Sequence, residues 1–140
     1  MTRINVGIPP KVLSRQHLLA EHREIKRLPN HLKKHGLPKK RPPHFKLGTG
    51  HVTFLLFEQA YTYHRYCQIY NECKRRKYDV TAYHKAWSAS ARRPLRKSDY
   101  KPTAADAKLL INRLRERDPI FYSRLNCVSL YSTKFKITNK

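Results

Sequence analysis

The strongest constraint on the fold lies between residues 52 and 77, where large side chains recur every three or four positions. Phe54, Phe57, Tyr61, Tyr66 or Cys67, and Tyr70 fall along one side of a helical wheel. A stripe of that period predicts an α-helix that buries one face. Its length makes it the central, largely buried helix of the domain.

Shorter signals place the rest of the chain around it. Pro9 and Pro10 break regular structure and leave residues 1–12 as an extended or turning arm. Ser14 is a suitable N-cap for a helix over roughly 15–28, which Pro29 closes. "NHLKKHG" then reads as a short helix with Asn30 as its cap and Gly36 as its terminator. "LPKKRPPHFKLGTG" (37–50) is a charged loop, and residues 79–102, with Pro94 and Pro102, are weakly patterned. "TAADAKLLINRLRERD" forms the last helix, capped by Thr103 with Asp106 in the capping-box position and ended by Pro119. No internal repeat or sustained heptad is visible. The expectation is an all-α fold: one compact domain over 1–140, three main helices, an extended N-terminal arm and long loops.

Charge narrows the partner. Lys and Arg number 31 against 9 Asp and Glu, a net charge of +22 at pH 7. Self-repulsion on that scale is costly unless an anion normally sits beside the protein. Nucleic acid fits best, since Lys and Arg on phosphates release condensed counterions and gain affinity without sequence preference. Lys33, Lys34, Lys39, Lys40 and Arg41 suit such contacts, or plain solvated charge. An anionic membrane fits less well, because no basic amphipathic helix and no 18-residue apolar run stands out. Without a signal-peptide core at the N-terminus, the expected location is the cytoplasm of a bacterial or phage-infected cell.

Metal chemistry finds little support. Cys67 and Cys73 sit on different faces of a helix, Cys127 is remote, and no Cys-x-x-Cys occurs. His31 and His35 have an i, i+4 spacing that could chelate, but no third ligand lies within sequence reach. No metal and no cofactor are expected.

The first helix, "SRQHLLAEHREIKRLP", carries two faces. Leu18, His22 and Ile25 share a side that can meet the core, while His17, Arg23, Glu24 and Arg27 share another. One carboxylate flanked by two guanidiniums and an imidazole can be an ordinary solvated face, with pairs such as Glu24–Arg27 worth a few tenths of a kcal/mol. The chain start offers a second reading. Thr2 is small enough for bacterial processing to remove Met1, which leaves an α-amine on Thr2 followed by Arg3. Such an amine has a reference pKa of about 7.7–8.0, and nearby arginines lower it further. It can attack a sugar C1′ and form a Schiff base while Glu24 manages protons.

Three motifs give that reading a family. "MTRIN" (1–5), "QHLLAEHRE" (16–24) and "LGTGHVTF" (47–54), extended by "NECKRRKYD" (71–79) and a looser "DYKP" (99–102), resemble the phage-type pyrimidine-dimer DNA glycosylases with AP-lyase activity, the endonuclease V type of T-even phages. The resemblance covers roughly two thirds of the chain. It implies that Thr2 supplies the nucleophilic amine and Glu24 the catalytic carboxylate. It further implies that Arg3, Gln16, His17, Arg23 and Arg27 line the DNA-facing pocket. The family is all-α and metal-free, and it kinks duplex DNA to flip out an adenine opposite the lesion. The amine displaces the 5′ base of a cyclobutane dimer, and β-elimination then nicks the strand.

The resemblance has departures. An extra residue lies around Pro9–Lys11, and the loop before "LGTGHVTF" is several residues shorter. The family's C-terminal aromatic run is represented by "PIFYSRLN" (119–126), where Phe121 and Tyr122 stand in for two of its rings, and the tail over 127–140 diverges. Lesion specificity is therefore less settled than the Schiff-base chemistry. Trp87 is expected to pack in the core. "GTGHVTF" reads either as a glycine-rich turn that approaches a phosphate at a helix start or as a tight turn with His51 capping or packing. The expected partner is double-stranded DNA with pyrimidine dimers or abasic sites, bound by a monomer. Two alternatives share these features: a non-catalytic basic DNA-binding protein of the same fold, and a related glycosylase/AP lyase with a shifted lesion range.

Overall fold

The computed structural model describes residues 3–40, 42–48, 50–90 and 100–123, apart from the side chains of 88–90. Expectations that fall on Met1, Thr2, Arg41, Pro94, Cys127 and the 127–140 tail lie outside the described residues. Every regular element described is helical: a 3-10 turn at Pro10–Val12, then α1 (Arg15–Ile25), α2 (Arg27–His35), α3 (His51–Leu56), α4 (Gln59–Arg75), α5 (Lys85–Ser90) and α6 (Ala104–Arg117). The all-α expectation holds. The three longest helices, with 11, 17 and 14 residues, are the three that the sequence marks most clearly.

Caps set several boundaries as expected. The Ser14 side chain accepts the His17 N–H at the start of α1. Thr103 and Asp106 form both bonds of a capping box on α6. Gly36 ends α2 at φ 71, a left-handed turn that glycine makes without strain.

Two boundaries differ from expectation. Pro29 does not close α1, which ends at Ile25; it is the third residue of α2, where its missing N–H would have no partner within the helix. Asn30 consequently lies inside α2 rather than capping it. The central helix also breaks at Phe57 and Glu58, and Glu58 leaves helical geometry at φ −107, ψ 54. All five residues from Phe54 to Glu58 are buried, more than one face of a straight surface helix would cover. The bend lets α3 and α4 each turn a different side inward.

The pairs α1–α4, α2–α3, α2–α5 and α3–α4 pack against one another. On α6, Ala107, Leu110, Ile111 and Leu114 supply a buried stripe at helical spacing. Trp87 on α5 is buried as expected, its ring 4.8 Å from that of Tyr66 and its Nε1 donating to Thr62 Oγ1 at 3.4 Å.

The arm departs furthest from an exposed leader. Ile4, Val6 and Ile8 are each fully buried, and the arm is part of the core. Burying such side chains stabilises by about 1.5–3 kcal/mol apiece. It also takes backbone N–H and C=O groups out of water, so each needs an internal partner. The arm makes two of these bonds within itself, Val6 N–H to Ile4 and Ile8 N–H to Asn5, and side chains from three helices supply others. Glu21 on α1 accepts the Asn5 N–H at 3.3 Å and the Asn5 amide at 2.8 Å. Arg65 on α4 grips Glu21 at 2.7 and 3.1 Å and donates to the Ile8 carbonyl. Both charged side chains are almost fully buried, at 1% and 3% exposure. Burial alone would disfavour the Arg65 charge, but the Glu21 carboxylate outweighs it and raises the guanidinium above its ordinary range.

Breaking such a pair leaves an uncompensated buried charge. Arg65→Met and Glu21→Gln are each expected to destabilise by about 3–5 kcal/mol. The double variant should lose much less than the sum. Urea unfolding of the three variants beside the parent chain measures this directly.

Candidate active site

α1 presents the residues singled out from sequence at its exposed side and two ends. Glu24 sits near the C-terminal end with its side chain 18% exposed, and Arg27 is its neighbour at 3.9 Å across the α1–α2 junction. Arg27 is 56% exposed, so the pair contributes at most a few tenths of a kcal/mol and leaves the carboxylate available to a ligand. Arg23 and Gln16 are exposed and Arg3 is half-buried. A carboxylate edged by Arg23 and Arg27 suits a reaction centre beside phosphates, where the cations hold the anion and the carboxylate faces developing positive charge.

His17 belongs to the other end of the helix, about 10 Å from Glu24 along the axis. Its Nδ1 lies 2.6 Å from the Tyr122 hydroxyl and 3.1 Å from Ser14 Oγ, and the His17 and Tyr122 rings stack at 5.4 Å. Burial pushes the His17 pKa down, against the opposing pull of Asp118. Tyr122 is 1% exposed, and its hydroxyl also accepts the Ser14 N–H at 2.9 Å. Phe121 and Tyr122, the stand-ins for two rings of the family's C-terminal aromatic run, meet edge-on with centroids 4.8 Å apart but differ in exposure. Tyr122 ties the end of α6 to the N-cap of α1, whereas Phe121 is 55% exposed beside Ile120 at 90%. Of residues 119–123 only Tyr122 turns inward, where its hydroxyl finds Ser14 and His17.

"GTGHVTF" proves to be the far anchor of the arm. His51 is 2% exposed, and its Nε2 accepts the Ile4 N–H at 3.0 Å. An imidazole nitrogen that accepts is unprotonated, so the proton resides on Nδ1 and is donated to the Lys46 carbonyl at 3.1 Å. Burial lowers the His51 pKa, with the Lys46 bond and the Glu21 charge opposing. Gly50 precedes it at φ 97, and a Cβ there would run into the Lys46 side chain.

Sequence reasoning passed over Glu21, Arg65 and Asn5. A signal existed. Glu21 lies three after Leu18 and four before Ile25, on the face assigned to the core, and Arg65 shares the buried stripe of Thr62, Tyr66 and Ile69. Charges on an apolar face mark a buried pair.

An open cavity of about 820 Å³ at the other end of the arm is lined by Gly7 to Lys11, Tyr61, His64 and Tyr100 to Pro102. Neither Glu24 nor Arg3, Arg23 or Arg27 lines it. The His31 and His35 rings lie 4.8 Å apart at a 47° tilt, both exposed on α2. No group of three or more His, Cys, Asp or Glu that could hold a metal occurs among the described residues. None of the described helices is long and apolar enough to cross a membrane.

His17, His22 and His51 all have pKa values lowered from 6.5, chiefly by burial. Below that pH the unfolded chain takes up protons at these imidazoles before the folded chain does, so stability falls with falling pH. The urea midpoint should be lower at pH 5.5 than at pH 7.5. An unchanged midpoint would show that the three are not held neutral.

The chain was compared with known protein families. A family model described as pyrimidine dimer DNA glycosylase matches residues 1–86, which take in the arm, Glu21, Glu24, His51 and Arg65. The match extends over more than half of the chain and stops before α6 and the turn bearing Phe121 and Tyr122. The residues that tie down the arm and the carboxylate beside the arginines thus all fall within one matched segment, and the chain belongs to the pyrimidine dimer DNA glycosylase family, enzymes of DNA repair.

Proposed function

We propose that this enzyme cleaves the N-glycosidic bond of a cyclobutane pyrimidine dimer through the α-amine of Thr2, exposed by loss of Met1, and then nicks the strand. The observation that carries the reading is the tethering of Ile4 and Asn5 to His51 and Glu21. Thr2 is three residues from Asn5, a span of at most about 10 Å. Glu24 is one turn from Glu21, about 5 Å along α1. Those spans allow an amine on Thr2 to come to the Glu24 carboxylate, which supports the reading.

The steps balance as follows. The amine nitrogen bonds to C1′ of the 5′ nucleotide while the bond from C1′ to the pyrimidine nitrogen breaks. The base leaves with the electron pair and gains a proton, and the amine nitrogen loses one. The C1′–O4′ bond then breaks, O4′ takes a proton, and the nitrogen lone pair closes a protonated imine on the opened sugar. A 2′ hydrogen is then removed as a proton, the C3′–O bond breaks, and the 3′ phosphate departs. Water releases the enzyme. Glu24 steadies the cationic sugar and moves these protons. Arg3, Arg23 and Arg27 hold phosphates and lower the amine pKa, and Gln16 contacts the DNA beside them. His17 acts through Tyr122 and Ser14 by fixing the start of α1 (a positioning role rather than direct DNA contact). A flipped-out adenine opposite the lesion would open room for these groups at the sugar. No metal is needed for any step, and the enzyme acts as a monomer.

A shifted lesion range is the second reading. It is favoured by the burial of Tyr122, which leaves Phe121 and Ile120 as the exposed apolar pair, and by the end of the family match at residue 86.

Borohydride reduction should link the enzyme covalently to abasic-site DNA; no adduct, with Met1 shown by mass spectrometry to be absent, refutes the chemistry. Glu24→Gln should slow strand cleavage by at least about 10²-fold while DNA affinity is kept. Phe121→Ala should weaken dimer-specific binding by about 1–3 kcal/mol yet spare abasic-site nicking, as a panel of defined lesions would show.

A further inference from the structure

We propose that His51 is a positioning residue for the reaction, acting through its Nε2 acceptor bond to the Ile4 N–H to hold the amine-bearing end of the arm in register. This deepens the proposed function and rests on it.

The geometry has three parts. First, the imidazole is fixed on both sides. Its Nδ1–H is committed to the Lys46 carbonyl, and the Phe45 ring meets it edge-on at 5.4 Å. Second, the bond it makes is to backbone, close to the chain start: Ile4 is two residues from Thr2. With Ile4 fixed, covalent geometry confines the Thr2 nitrogen to a sphere of about 7 Å radius, an effective concentration on the order of 1 M before orientation is counted. Third, the remaining tethers act further along. Glu21 takes Asn5, and Arg65 takes the Ile8 carbonyl. Loss of the His51 acceptor would leave those contacts intact and free only the segment that carries the amine. An unpartnered Ile4 N–H would then swing toward water and take the terminus with it.

A histidine that merely fills space between the loop and α3 would serve the Lys46 carbonyl, not the arm. The two ring nitrogens can be tested apart. His51→Gln places an amide oxygen where Nε2 stood and can still accept from Ile4. His51→Asn places an amide where Nδ1 stood, and so keeps the bond to Lys46 but loses Ile4. Each variant is assayed for single-turnover imine trapping at saturating abasic-site DNA, for DNA affinity, and for fraction folded by urea titration.

The expected result is that His51→Gln traps within about threefold of the parent rate, while His51→Asn falls by roughly 10–100-fold at unchanged DNA affinity. Equal rates for the folded fractions of the two variants would overturn the proposal. So would a loss that lies in DNA affinity instead of the trapping rate. If the parent enzyme itself gives no adduct, the amine chemistry fails and the role of His51 falls with it. That result is distinct from one in which the parent traps and both variants match it.

Discussion

The ion pair between Glu21 and Arg65 is the constraint around which this structure is arranged. Two charges in a helix interface are costly to bury, and they persist because the pair bonds the arm as well as each other. The carboxylate accepts from Asn5 twice and from Arg65 twice. The guanidinium in turn reaches the Ile8 carbonyl. Together they replace the hydrogen bonds that a strand would get from a sheet. This is how a non-helical segment can run through an all-α core. A hydrophobic pair of the same volume would pack as well but could not satisfy the arm's backbone.

That arrangement explains what could be read from the sequence and what could not. The helical periods, the Ser14 and Thr103 caps and the Gly36 stop are local signals, each decided within a few residues. They yielded the all-α class and the three principal helices. The break at Phe57–Glu58 left no local mark, because neither residue is a helix breaker and the bend answers to burial on two sides. Pro29 misled for a related reason: a proline fits the first turn of a helix as well as it ends one.

The site divides in the same way. Glu24, Arg23 and Arg27 were legible as one exposed face, since helical geometry alone sets it. The burial of the arm was not, because proline and a short alternating run look the same in a solvated tail as in a packed one. Ile4, Val6 and Ile8 did alternate, but alternation points to a strand, and no strand partner was in view. The burial of Tyr122 beside an exposed Phe121 depends on a contact 108 positions away, with Ser14. Contacts at that distance leave no trace in a single sequence's spacing.

The arm precedes in sequence every helix that holds it in place. Asn5 waits 16 positions for Glu21, Ile4 waits 47 for His51, and Ile8 waits 57 for Arg65. At ribosomal speeds of roughly 5–20 residues per second, the last interval is about 3–11 s. Until then the Ile8 carbonyl lacks the guanidinium that satisfies it, so the arm cannot complete its packing before α4 exists. Topology therefore makes this segment a late reporter of folding, because protection of its backbone amides marks the arrival of the whole helical core.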